Sequence, residues 1–271
     1  MNGSDEKTGA MILGVRFDLM AAEDVLRSLE AWRRQGRREY VVFSNPHSVM
    51  TARRGPRLHQ AIARAGMTLP DGVGIILAAR CLGQAHRGRL TGPATMLLVC
   101  DQGRALGYRH FFYGAATGVA DRLAGQLTQR FPGLQVAGML SPPFRPLTEQ
   151  EDRDIVERIN ASAPTIVWVA LGAPSQEIWM ADHVGRINAT AMMGVGAAFD
   201  FHSGNIRWAP AWMRRCGLEW AHRLAHEPRR LWRRNMDNLL FLAAILRQRA
   251  YGASSPVESS RPPNGGSAST R

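Results

Sequence analysis

Between residues 40 and 195, short apolar runs repeatedly end in a turn bearing Gly, Asn or Asp and pass into a segment of helical periodicity. Residues 40–43 (YVVF), 109–113 (RHFFY), 165–171 (TIVWVAL) and 191–195 read as strands, and 134–138 follows the same pattern. Helices are expected over about 47–65, 73–81, 118–130, 148–161 and 175–188. Strand, glycine-containing turn and helix in repeated order predict an α/β fold with a mostly parallel sheet. In such sheets ligands bind beyond the carboxyl ends of the strands, so the residues just after each strand carry the functional argument.

The 271 residues suffice for one large globular core or two small ones. Cys81, Cys100 and Cys216 are far apart and form no CxxC pair, which argues against a disulfide framework and a structural zinc site and fits a reducing cytoplasm. The opening MNGSDEKTGA is polar and contains acids, so no signal peptide is expected there. No apolar run approaches the ~18 residues of a membrane span. The formal net charge is +12, carried almost wholly by arginine. A charge of this sign points to a polyanionic partner: nucleic acid, an anionic membrane face or a phosphorylated substrate. Four regions are expected: a flexible tail at 1–9, an α/β domain at 10–204, a basic helical appendage at 205–251, and a disordered Ser/Pro/Gly-rich tail at 252–271. The appendage holds ten arginines against three acids and four of the seven tryptophans. That composition suits helices lying at a membrane interface.

Five turns carry groups able to do chemistry. Asn45, after YVVF, either contacts a ligand or caps the next helix, and alone the cap is favoured. Asp71, in PDGVG at 70–74, is either an Asx turn or a general base at the sheet edge, and spacing alone favours the turn. RLTG at 89–92 can offer Arg89 and backbone amides to phosphate oxygens, or be a solvated basic loop. GAPSQE at 172–177 places Gln176, able to read hydroxyls, and Glu177, able simply to complement a helix dipole, beside a strand end. Gly194 and Gly196 let backbone approach a ligand, or are ordinary turn residues; Asp200 beyond them is either a second acid or an arginine partner. Farther on, Arg223, Arg230 and Arg233 can share one helical face, interrupted by Pro228, and suit a diphosphate. Neither a phosphate-binding P-loop nor a GxGxxG fingerprint occurs, and GxSxG and HExxH are likewise missing.

Taken in order, these segments resemble the WecG/TagA/CpsF glycosyltransferase family. The resemblance runs from Gly14 to about Arg234 and rests on Asn45, PDGVG, RLTG, FFYGAATGVA at 111–120, FPGL at 131–134, LGAPSQE at 171–177, GVGAAFDFHSG at 194–204, WAP at 208–210, GLEW at 217–220 and EPRRLWRR at 227–234. SPPFR at 141–145 resembles the exopolysaccharide-type branch. Two positions depart from the family pattern: Ala94 stands where an acid is common, and Arg207-Trp208-Ala209-Pro210 has one residue more than the usual Arg-Ala-Pro.

The resemblance implies a Rossmann-like sheet flanked by helices, and an inverting enzyme peripheral to the cytoplasmic face of the membrane. The implied donor is a UDP-sugar and the implied acceptor a polyprenyl-diphosphate-linked sugar, with no metal or other cofactor. Asp71 is implied as catalytic base, with Gln176 beside it. Asn45, Arg89, Thr91, Gly92, Glu177, Gly194 and Gly196 are expected at the substrates, joined by Arg223, Arg230 and Arg233 from an appendage that closes the site. One base suffices for inverting transfer, and arginines and amides can carry the charge of the leaving diphosphate. The competing readings are a non-catalytic basic protein for nucleic acid or membranes, and a UDP-sugar hydrolase. No recognised nucleic-acid-binding motif occurs, so nucleic acid is not the expected partner.

Overall fold

The computed structural model describes residues 9–251 except 87, 217, 220 and 223–227, and leaves the side chains of 214–215, 228–235 and 251 undescribed. Both expected tails therefore lie outside the described residues, apart from Gly9, which begins a strand.

The chain opens with an antiparallel hairpin, β1 (Gly9–Ile12) and β2 (Val15–Asp18), and a helix, α1 (Ala22–Arg34). Then comes the expected alternation: β3 (Glu39–Ser44), α2 (Pro46–Arg54), α3 (Pro56–Ala63), β4 (Met67–Pro70), α4 (Val73–Cys81), α5 (Gly92–Gln102), β5 (Arg109–Gly114), α6 (Val119–Arg130), β6 (Gln135–Leu140), α7 (Glu149–Ala161), β7 (Ile166–Ala170), α8 (Ser175–His183) and β8 (Ala191–Gly194). Short helices α9 (Ala198–His202) and α10 (Ala211–Arg215) lead to a long terminal helix, α11 (Pro228–Tyr251). Strands β3 to β8 form one six-stranded sheet in the order β4-β3-β8-β7-β5-β6, and every neighbouring pair is parallel.

The central strands read as unbroken apolar runs because helices cover both faces of the sheet. Val41, Phe43, Phe112, Trp168 and Met193 enter the core on one face. Tyr40, Val42, Tyr113, Val167 and Val169 enter the core on the other.

Several boundaries differ from expectation, each for a local reason. The helix expected over 47–65 is two, because Pro56 disfavours a helical Gly55, whose φ and ψ are −128° and 102°. The helix expected over 175–188 stops at His183, where Val184 is extended and Gly185 has φ 89°. Pro228 does not interrupt the terminal helix but opens it, at the position where a missing N–H costs nothing. The hairpin, α1, β4 and α5 are additional elements. The hairpin and β4 strands have only four residues each, and α5 begins with Gly92-Pro93, which reads as loop.

The terminal helix packs against α2 and α4. Phe241 and Ile245 enter the core cluster that holds Val49, Ile75 and Ala78. Gln248 bridges the hairpin turn, accepting from Leu13 N at 2.9 Å and donating to Met11 O at 3.0 Å. Leu239, Leu242 and Leu246 stay 63%, 54% and 55% exposed. No helix among the described residues is long and apolar enough to cross a membrane.

One buried group makes folding pH-dependent. His110 on β5 is fully buried, accepts a hydrogen bond from Trp168 Nε1 at 3.1 Å, and is held near pKa 4 by burial. The unfolded ring takes up a proton below about 6.5 while the folded ring stays neutral. The stability this neutral ring confers is therefore complete above pH 6.5 and lost as pH falls towards 4, by about 3 kcal/mol. Urea unfolding at pH 7.5 and 4.5 should show that loss, and His110→Gln, which keeps an acceptor for Trp168, should flatten it.

Candidate active site

The sheet order leaves a crevice at the carboxyl edge of β3. β4 flanks it on one side and the final strand, β8, on the other, so the connections diverge there. A cleft of about 1110 Å³ occupies this place. Its floor is built from the turns after β3, β4, β7 and β8, and the first turns of α2, α4, α5 and α8 line it. Helix N-termini present partial positive charge and unpaired N–H groups, so their convergence favours an anionic ligand. Leu239, Phe241, Leu242 and Ile245 of the terminal helix form an apolar side wall.

Asp71 stands at the carboxyl end of β4. Its backbone N–H donates to Ser44 O at 2.9 Å and so extends the ladder between β3 and β4 by one step. Gly72 then takes φ 96° and ψ 159°, a conformation that only glycine adopts readily. A Cβ there would meet nothing within 4 Å, so the backbone angle and not crowding demands the glycine. The turn leaves Asp71 half-buried on the cleft surface.

Asn45 combines the two uses that the sequence left open. It caps α2, its Oδ1 accepting from Ser48 N at 3.1 Å, and it also lines the cleft. Thr91 similarly caps α5 by accepting from Ala94 N at 3.4 Å, while Gly92 permits close approach to Val195: a Cβ at Gly92 would lie 3.3 Å from Val195 Cα. Arg89, half-buried, forms an ion pair with Glu219 at 3.0 Å. The other Glu219 oxygen accepts from Trp208 Nε1 at 3.1 Å. Glu219 thus holds the Arg89 guanidinium on the cleft wall and ties the segment after β8 to it.

Gln176 and Glu177 are buried in the first turn of α8. Gln176 Nε2 donates to Glu177 Oε1 at 2.9 Å and to Gly194 O at 3.2 Å. Its Oε1 is buried and receives no hydrogen bond from a described residue. Gly194 makes room for this amide, because a Cβ there would stand 3.3 Å from Gln176 Nε2 and 2.6 Å from Met180 Cε. The glycine pair thus serves the packing of Gln176, and Gly194 and Gly196 line the cleft as well.

Nine residues expected at the site therefore meet in one cleft: Asn45, Asp71, Arg89, Thr91, Gly92, Gln176, Glu177, Gly194 and Gly196. Arg223 lies outside the described residues; Arg230 and Arg233 fall on the terminal helix, where their side chains are undescribed. Asp200 is not among the lining residues; it accepts from Asn205 Nδ2 at 2.8 Å and pairs with no arginine among the described residues. Sequence reasoning missed His47, Leu77, Glu219 and the terminal-helix wall as cleft residues. Glu219 stood in the GLEW segment, but nothing in sequence spacing pairs it with Arg89, 130 residues earlier. Among the described residues, no group of three or more His, Cys, Asp or Glu is placed to hold a metal ion.

The profile of the glycosyl transferase WecG/TagA/CpsF family matches residues 10–255. The chain belongs to this glycosyltransferase family. It is similar to an N-acetylglucosaminyldiphosphoundecaprenol N-acetyl-beta-D-mannosaminyltransferase of Bacillus spizizenii, 30% identical over 81% of this chain and 83% of the relative. Enzymes with the same description from Bacillus subtilis and Staphylococcus aureus are 27% and 26% identical, over 75% and 82% of this chain and 77% and 86% of theirs. Six of those nine residues stand at the carboxyl ends of strands of one parallel sheet: Asn45 after β3, Asp71 after β4, Gln176 and Glu177 after β7, and Gly194 and Gly196 at the end of β8; Arg89, Thr91 and Gly92 come instead from the loop between α4 and α5.

Proposed function

We propose that this glycosyltransferase moves a sugar from a UDP-sugar to a polyprenyl-diphosphate-linked sugar, with inversion, at the cytoplasmic face of the cell membrane. The product enters exopolysaccharide or another surface polysaccharide. The observation that carries the reading is the placement of Asp71 and Arg89 in one cleft with several helix N-termini.

The chemistry follows from those groups. Asp71 takes the proton of an acceptor hydroxyl as its oxygen attacks the anomeric carbon. The anomeric carbon–oxygen bond to the diphosphate breaks on the opposite face, and its electron pair leaves with UDP. Arg89 and the N–H groups at the starts of α4, α5 and α8 stabilise the charge gathering on that diphosphate. Gln176 Oε1 accepts from a sugar hydroxyl, which fills the hydrogen bond it otherwise lacks. The cleft volume admits a nucleotide sugar with part of an acceptor, and the apolar wall suits the lipid end. The relatives transfer an N-acetylmannosaminyl group, by their descriptions. The donor panel therefore sets UDP-N-acetylmannosamine beside UDP-glucose.

The test supplies purified protein with undecaprenyl diphosphate-linked N-acetylglucosamine and each radiolabelled UDP-sugar in turn. Label passing into the lipid fraction from one donor is the expected result. Free sugar released without acceptor would instead mark a hydrolase, and no turnover of any donor would overturn the reading.

A further inference from the structure

The cleft holds a second proton-accepting group, built from two distant parts of the chain. His47, the second residue of α2, lies on the cleft surface and is about one-third exposed. Its Nδ1 is 2.6 Å from Asp237 Oδ2 on the terminal helix, 190 positions away. Asp237 is itself buried, and Arg54 Nη2 donates to its two oxygens at 2.9 and 3.0 Å. The carboxylate is thus fixed from two sides.

A carboxylate only accepts, so the hydrogen of the bond lies on His47 Nδ1. In the neutral ring, Nε2 then carries the lone pair. No described residue hydrogen-bonds Nε2. If Asp237 served only to dock the helix, its two contacts with Arg54 would already do so. The contact to His47 adds a fixed tautomer at a cleft residue.

The location decides which ligand this nitrogen meets. Asp237 is followed on its helix by Asn238, Leu239, Phe241, Leu242 and Ile245, the residues of the side wall. His47 therefore stands where the polar floor, with Asn45 and Ser48, joins the apolar wall. A molecule with a sugar at one end and a hydrocarbon chain at the other fits that boundary, whereas a nucleotide sugar is polar throughout.

We infer that His47, held by Asp237, is an acceptor-binding residue whose Nε2 accepts a hydrogen bond from a hydroxyl of the lipid-linked sugar. The inference rests on the proposed transfer reaction. It makes the terminal helix part of acceptor recognition through a polar contact as well as through its leucines.

Steady-state kinetics test it, with undecaprenyl diphosphate-linked N-acetylglucosamine and the UDP-sugar varied separately. His47→Phe should raise the acceptor KM about tenfold, the weight of one hydrogen bond, and leave the donor KM within about twofold. Asp237→Asn should follow it, because an amide no longer enforces the tautomer. Arg54→Gln breaks the other Asp237 contact and should leave the acceptor KM unchanged. Should His47→Phe fail to fold, as judged by circular dichroism, His47→Gln replaces it. An unchanged acceptor KM in the His47 variant overturns the inference, as does an equal rise in both KM values. An acceptor loss in Arg54→Gln matching that in Asp237→Asn also overturns it, since helix docking alone would then explain the effect. In those cases the wild type still transfers sugar and the proposed function stands. A wild type that transfers nothing overturns both.

Discussion

Asp71→Asn should lower kcat for transfer about 10³-fold and leave UDP affinity within about threefold. Asparagine has the size of aspartate and keeps the backbone N–H that donates to Ser44 O, so the end of β4 and the Gly72 turn stay in place. What is lost is the carboxylate that takes up the proton. Transfer of label to the lipid fraction measures the first quantity, and titration calorimetry with UDP measures the second. A variant retaining more than a tenth of wild-type kcat would remove Asp71 from the role of base. A variant that lost UDP binding as well would show that the carboxylate shapes the cleft instead.

Arg89→Gln should lower kcat/KM about 10²-fold, with much of the loss in kcat, because charge on the diphosphate grows as the anomeric bond breaks. The ion pair to Glu219 gives a second, smaller handle. Glu219→Gln keeps the Arg89 charge but weakens the contact that holds the guanidinium on the cleft wall. A loss of about tenfold is expected, since a side chain already in position costs less to use than one that must be ordered. The double variant should lose no more than Arg89→Gln alone, because Glu219 acts through Arg89. Additive losses would mean that Glu219 serves the reaction by another route, such as its bond to Trp208.

The fold was largely legible from the chain. β3, β5 and β7 carry unbroken apolar runs, at 40–43, 111–113 and 166–170, because both sheet faces are covered, and that is a pattern readable without coordinates. Most of the elements that escaped notice had weak local signals: four-residue strands, and a helix whose first turn is Gly92-Pro93; α1 is the exception, its buried Val25, Leu26, Leu29 and Trp32 recurring at helical spacing. The floor of the cleft was legible for the same reason as the sheet. In a parallel sheet every strand ends at the same edge, so Asn45, Asp71, Gly194 and the turn before Gln176 must converge wherever the strands are adjacent.

The sequence by itself therefore determined the parallel sheet, the edge that carries the site and most of the residues on its floor. These follow from periodicity and from turn chemistry, both of which act over a few residues. Only the tertiary structure decided the order β4-β3-β8-β7-β5-β6, which puts β8 beside β3 across 146 intervening residues. It likewise decided that the terminal helix walls the cleft, that Glu219 meets Arg89, and that Asp237 meets His47. Such pairings depend on how whole elements pack, and a lone charged or polar residue on a helix carries no local mark of the partner it will find.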